Sequence, residues 1–307
     1  MILRYIGRRL LYLIPTFFIL SFIVFTLVRL IPGDPVMAIA GPDSTPEVLQ
    51  EMREALGLDR PVANQYLVYL KGLFKGDLGT SLRTHQPVWI EIGLRFSSTV
   101  ELAAAGMMVS LFVGITLGVL AALRPGNWLD AFTRLISLFG VSSPTFWTGL
   151  LFVLAFGYYW RLFPIAGSGT IWHLVLPAAT VSLTSLAFIT RLTRASLIEV
   201  FSQDYVQTAR AKGASPVRVI IHHSLQNALI APLTVAGLEF GRLVSGVIVI
   251  ETIFAWPGIG KLLIEAIQFR DWPVIQGLIL TFALLFAVVN LIVDILYAVI
   301  DPRIRLD

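Results

Sequence analysis

Apolar side chains in this sequence come in long unbroken runs rather than in alternation. Six stretches stand out, at roughly 10–31, 100–123, 135–158, 173–190, 227–253 and 274–298. A helix rises 1.5 Å per residue, so about 20 apolar residues cross a hydrocarbon core of about 30 Å. Inside a bilayer every backbone N–H and C=O must be satisfied within the protein, and a helix does this by itself. The pattern therefore predicts an all-α integral membrane protein with six transmembrane helices. The first run follows the basic opening MILRYIGRR. It is longer than the core of a signal peptide and no small-residue cleavage site follows it, so 1–31 reads as a cytoplasmic start and a retained first span.

Two polar interruptions break the pattern. The first, 32–97, opens with PGDP and carries two short helical patterns in STPEVLQEMREALGLDRPVANQYLVYLKGLF. Ser44 or Thr45 caps the first of these, Pro46 sits in its first turn and Gly57 ends it. This segment reads as a small external, water-exposed insert between the first two spans, and 98–307 as the transmembrane core. The second interruption, DYVQTARAKGASPVRVIIHH at 204–223, lies within a polar loop of about 196–226 between spans four and five. Asp204 starts a short helix, and Arg210 and Lys212 close it, in keeping with the helix dipole. Gly213 is the stop. Ser215 caps a second helix whose first position is Pro216, and that helix continues into span five. Ala209, Ala211, Gly213 and Ala214 form a small-residue surface that another protein can approach closely. Helix punctuation this complete points to a docking element rather than a solvated connection.

Composition sharpens the class. Of 307 residues 56% are hydrophobic and 14% charged, against roughly a quarter charged in soluble domains. The formal net charge of +4 does not indicate nucleic acid, because basic residues on a membrane protein report orientation. With six spans both termini share a side. That side holds twelve basic residues: Arg4, Arg8, Arg9, Arg124, Arg134, Arg191, Arg194, Arg210, Lys212, Arg218, Arg303 and Arg305. The short loops opposite hold only Arg161, Lys261 and Arg270. Both termini and the 196–226 loop are thus expected on the cytoplasmic side of the membrane.

Catalytic constellations are absent from the sequence. PGIGKL at 257–262 resembles a phosphate loop, but Ala255 and Leu262 stand where that loop needs glycine and a hydroxyl. It reads as a re-entrant turn or short helix at the outer mouth, beside Glu251 and Trp256. The four histidines, His85, His173, His222 and His223, form no H-E-x-x-H, no G-x-S-x-G occurs, and there is no cysteine. A membrane enzyme is disfavoured, and no metal site is expected. Within span five, Glu239 and Arg242 lie three residues apart on one helical face. Either they are a mutually satisfied structural pair or they line a translocation path, since ionisable residues in spans are costly. Asp294, with Asn290 a turn before it, reads as an interfacial or helix-packing residue of span six.

The second interruption resembles the cytoplasmic "EAA" loop of ATP-binding-cassette (ABC) importer permeases, in particular the peptide, glutathione and nickel branch. RRLLYLIPTFFILSFIVFTLVRLIPGDP, ALGLDRPVANQY, GDLGTS, DYVQTARAKGAS, ETIFAWPGIGKLL, RDWPVIQG and NLIVDILYAVIDPRIR are similar to that branch as well, from residue 4 to 305. Gln207, Thr208 and Ala209 stand at the Glu-Ala-Ala positions. Gln226 replaces a common arginine, Pro232 comes one place late, and Glu239 and Arg242 replace more neutral residues. The resemblance implies the type I ABC importer permease fold (MetI-like), with a cytoplasmic coupling helix lodged in an ATPase groove. Asp204, Tyr205, Thr208, Ala209, Arg210, Lys212, Gly213 and Ser215 would form that coupling site. It implies a non-catalytic subunit importing dipeptides or oligopeptides, with glutathione, nickel chelates or sugars as alternatives. The partners would be a second homologous permease, two ABC ATPase subunits holding ATP and Mg, an external solute-binding protein and membrane lipid. An ion-gradient secondary transporter, working without ATP and without partners, is the rival from another class.

The absence of native cysteine makes the orientation testable. A cysteine at Thr80 should react with an impermeant thiol reagent in intact cells, and one at Ser202 only after the membrane is opened. The reverse labelling pattern would invert the topology.

Overall fold

In the computed structural model residues 2–30, 36, 44–55 and 57–300 are described. PGDP at 32–35, Arg303, Arg305 and the side chains of Arg4, Arg8, Arg9 and Asp294 lie outside the described residues. The elements in chain order are α1 (Ile2–Leu30), α2 (Pro46–Ala55), α3 (Val62–Phe74), α4 (Val88–Leu123), α5 (Trp128–Ser142), α6 (Thr145–Tyr159), α7 (Ile171–Phe201), α8 (Asp204–Ala211), α9 (Pro216–Ala228), α10 (Ile230–Gly246), α11 (Ile248–Ile253), α12 (Ile259–Gln268) and α13 (Trp272–Ile300). Among the described residues the only strand-like pairing is an isolated bridge, Thr80 to Pro87.

The six apolar runs do not all become straight spans. By length and hydropathy α4, α7 and α13 each suffice to cross a membrane. The third run breaks into α5 and α6, bent by 114°, and the fifth into α9 and α10, bent by 48°. Counting each bent pair as one span gives up to five, and in the first run the apolar helix Ile14–Leu27 is shorter than a full span. Both breaks have a proline cause. Ser143, before Pro144, is extended (φ −90°, ψ 131°), because a proline disfavours helical geometry in the residue preceding it. Pro232 cannot donate to the carbonyl of Ala228, so the helix bends in the turn ahead of it. Seven-residue π-helical segments, Val153–Tyr159 and Val219–Leu225, form part of α6 and α9. Helix α4 starts at Val88, well before the apolar run begins. At 36 residues it is about 54 Å long and outruns the bilayer core.

One compact unit comprises Leu3–Thr99 with Pro257–Ala287. Its core joins Val88 and Ile92 of α4 to Ile259, Leu262 and Ala266 of α12 and to Trp272, Ile275 and Leu278 of α13. Buried Asp271 organises this unit from the start of α13. Its carboxylate accepts hydrogen bonds from Ser81 Oγ (2.5 Å) and from the backbone N–H groups of Leu82 (3.2 Å) and Arg83 (3.3 Å). The polar 80–87 loop is thereby fastened to the end of a long helix. Helix α3 lies along α1 through Tyr66, whose ring meets Phe22 and Phe25 and whose hydroxyl lies 3.0 Å from Ser21 Oγ.

The other unit comprises Val100–Trp256 and the chain from Val288, and α7 runs through it. Helix α4 meets α7 along Gly106, Ser110, Gly114 and Gly118, four residues apart. A Cβ at Gly106 would lie 3.0 Å from Val181, one at Gly114 3.1 Å from Ile189, and one at Gly118 2.8 Å from the carbonyl oxygen of Thr190. Ser110 Oγ sits 3.0 Å from the carbonyl oxygen of Ser182 and can donate to it. From α5, Gly140 approaches α7 as closely: an added Cβ would lie 2.7 Å from the carbonyl oxygen of Leu183. In lipid, where apolar burial drives little association, small residues that let backbones touch hold helices together.

Gly118→Leu should therefore cost the unit about 1–3 kcal/mol, the usual penalty for overpacking, because a backbone carbonyl cannot yield. Detergent-extracted monodisperse subunit should fall sharply on size exclusion. Gly93→Ala, on the same helix with nothing within 4 Å, should leave the yield unchanged.

Candidate coupling site and charges within the spans

Helix α8 is fixed at both ends by its own sequence. Gln203 is extended (φ −73°, ψ 145°) and turns the chain out of α7. Asp204 occupies the first turn, and Thr208 Oγ1 donates to its carbonyl oxygen at 2.9 Å. At the far end Gly213 has φ +81°, Gly213 N–H donates to Arg210 O (3.0 Å) and Ala214 N–H to Ala209 O (3.2 Å). A left-handed residue followed by a six-to-one bond closes the helix. Ser215 then caps α9, its Oγ accepting from Arg218 N–H at 3.4 Å, with Pro216 in the first turn.

Packing makes this corner stiff. Val206 and Val219 are buried, and Leu197 near the end of α7 packs with Ala122 of α4 and Ala228 of α9. Tyr205 spans the corner, its hydroxyl accepting from Asn227 Nδ2 at 3.0 Å. Asp204, Tyr205, Thr208, Arg210, Lys212, Gly213 and Ser215 are exposed, and Ala209 is half-buried. Gly213 leaves open space, with no atom within 4 Å of where a Cβ would sit. These eight residues thus fall together on one short corner, seven of them exposed and Ala209 half-buried. His222 and His223 fall in the π-helical part of α9. Among the described residues no three His, Cys, Asp or Glu side chains gather as a metal site.

Glu239 and Arg242 do pair: Arg242 Nη1 donates to Glu239 Oε1 at 3.0 Å. Their surroundings are unequal. Glu239 is 7% exposed, and its second oxygen accepts from Ser185 Oγ of α7 at 3.2 Å. The Arg242 side chain is 67% exposed in the single chain. PGIGKL yields the first part of a short helix, α12, starting at Ile259, whose N–H donates to Thr99 Oγ1 at 2.9 Å. Glu251 and Trp256, at the end of the other unit, are both buried.

Three buried carboxylates, Glu91, Asp130 and Asp271, escaped the sequence reading; Glu91 pairs with Arg95 and Thr84. Asp271 is the helix-start acceptor described above. Asp130 is buried in the first turn of α5, where Arg194 of α7 grips it with two nitrogens, Nε at 2.6 Å and Nη2 at 3.0 Å. Arg134 and Arg194 registered in the sequence only as positive charge. The single local cue was an acid four residues before Arg134, the spacing of an i,i+4 pair.

Comparison with known proteins agrees with this architecture. Residues 114–306 match the family described as binding-protein-dependent transport system inner membrane component, and residues 2–103 match the N-terminal membrane component of such systems. The glutathione transport system permease protein GsiC of Escherichia coli is 42% identical over 303 residues, 99% of each chain. The dipeptide transport system permease protein DppB of E. coli K12 is 42% identical over 335 residues, again 99% of each. A solved structure, an amino acid ABC transporter with histidines, shares the fold with a TM-score of 0.53 at 12% identity, covering 67% of this chain and 92% of that one. With nearly its whole length accounted for, the chain belongs to the family of multi-pass inner-membrane components of binding-protein-dependent transport systems.

Proposed function

We propose that this chain is one of two permease subunits of an ATP-driven importer of dipeptides or short oligopeptides. The observation that carries the reading is the α8 corner, packed on α7 and α9 through Val206, Val219 and Tyr205 while Asp204, Thr208, Arg210, Lys212, Gly213 and Ser215 stay exposed. Such a projection suits a groove on a cytoplasmic ATPase subunit. In this reading two ATPases hold ATP and Mg, a second homologous permease completes the pathway, and an external solute-binding protein delivers the cargo. Both termini and α8 are cytoplasmic. Full-length similarity to a dipeptide permease supports the peptide class. Equal identity to a glutathione permease makes that tripeptide the second reading.

Arg242 supports a path between the two permeases. A guanidinium 67% exposed on a span-five helix would be costly against lipid. A water-filled route or the second permease is the environment that suits it, with Glu239 and Ser185 holding its inner partner in place.

Coupling is tested at Gly213. A β-branched side chain at φ +81° is strained by about 1–3 kcal/mol, while the space around it is open, so the permease still folds. Gly213→Val should insert normally, retain less ATPase on co-purification and lose uptake. Normal uptake with ATPases bound would remove α8 from the coupling role.

The span-five pair makes an asymmetric prediction. Arg242→Gln strands buried Glu239 with Ser185 alone, at a cost of about 1–3 kcal/mol. Glu239→Gln leaves an arginine that is already exposed, and should cost less. The double variant should recover the subunit level lost in Arg242→Gln. Uptake of acidic, neutral and basic dipeptides per assembled complex should then change in preference. Unchanged uptake of all three would confine the pair to packing.

A further inference from the structure

Asp130 is the best-supplied carboxylate in its unit. Arg194 Nε donates to Oδ1 at 2.6 Å and Nη2 to Oδ2 at 3.0 Å. Gly126 N–H donates to Oδ2 at 2.9 Å, and Arg134 Nη2 stands 3.5 Å from the same oxygen. Asp130 itself is 1% exposed, while the Arg194 side chain is 27% exposed. One side chain thus closes the turn between α4 and α5 onto itself, through Gly126, and fastens that turn to α7.

The place of the clasp gives it meaning. Arg194 lies seven residues before Phe201, where α7 ends and the chain turns into α8, a distance of about 10 Å along the helix. One residue past the next half-turn, Leu197 packs between Ala122 of α4 and Ala228 of α9. The base of α8 is therefore gripped on both sides, by an apolar contact to α4 and α9 and by a charged one to α5.

Apolar side chains of similar volume hold helices together as well as a buried ion pair does, and often better. A forked, two-bond arginine–carboxylate contact adds fixed angle and register, which a sliding apolar contact lacks. We propose that Asp130 and Arg194 are a positioning pair that transmits displacement of α8, through α7, to the α4–α5 turn, so that ATP-driven movement at the coupling corner reaches the start of α5. The proposal rests on the coupling reading of α8. It assigns the pair no contact with solute or nucleotide.

The test uses the complete complex in proteoliposomes: this permease, its partner permease, both ATPases and the binding protein. ATP hydrolysed per labelled dialanine or glutathione imported is measured for Asp130→Asn, which keeps an acceptor for Gly126 but loses the charge. It is also measured for Arg194→Lys, which keeps the charge but loses the fork. Both should assemble with ATPases bound and hydrolyse ATP, while ATP spent per solute rises about five-fold or more, the scale of a lost coupling between sites. A purely structural pair would lower the yield of complex and leave the ratio in the surviving complex at the wild-type value. That result overturns the proposal, as does failure of both variants to assemble. Gly213→Val, run in parallel, separates the two ideas. If it transports normally the coupling role of α8 falls, and if it alone uncouples only the Asp130 clasp falls.

Discussion

Backbone-to-backbone contact on α7 is the constraint on which the second unit depends. Gly106, Gly114 and Gly118 of α4 and Gly140 of α5 leave no room for a Cβ without moving a side chain or a carbonyl of α7. Hydrocarbon solvent gives apolar side chains little reason to leave it, so attraction has to come from close surfaces and a few interhelical polar contacts, such as Ser110 with the Ser182 carbonyl. The position of α8 follows from this. It hangs from the end of the most enclosed helix in the unit and inherits that helix's placement.

The apolar runs announced helices and a membrane, because the bilayer rewards a simple length of greasy chain. The corner at 204–216 was equally legible. Helix caps and stops are local chemistry, so Gly213, Ser215 and Pro216 could be placed before any contact was known. The resemblance of DYVQTARAKGAS to importer permeases pointed to Gly213 and Ser215 as well. Other features depended on what lies far away in the chain. The 114° break at Ser143–Pro144 hid inside a run whose average hydropathy looked continuous. Asp130 meets Arg194 across 64 positions and Asp271 meets Ser81 across 190, and no periodicity encodes such meetings. The pairing of Glu239 with Arg242 was readable from spacing alone. Its inequality, one partner buried and the other exposed, was not.

Charge in this chain is used sparingly and at joints. Asp271 fastens the 80–87 loop to the start of α13, Asp130 fastens the α4–α5 turn to α7, and Glu239 joins α10 to α7 through Ser185. Each carboxylate is buried and each has several donors, as low-dielectric surroundings demand. The α4–α7 and α5–α7 contacts are left to small and apolar residues. These three carboxylates mark places where one segment meets another.

The glycine contacts also decide where this unit can flex. Two helices that touch through their backbones cannot roll or slide past each other without collision, since a well-packed contact is bistable rather than continuously deformable. Between Gly106 and Gly118, α4 is thereby locked in register against α7. Bending is left to the proline sites, the Ser143–Pro144 break, the elbow before Pro232 and Pro177 inside α7, where the regular ladder of helical hydrogen bonds already lacks a donor. A machine built this way has its hinges written into the sequence as imino acids and its levers as glycines.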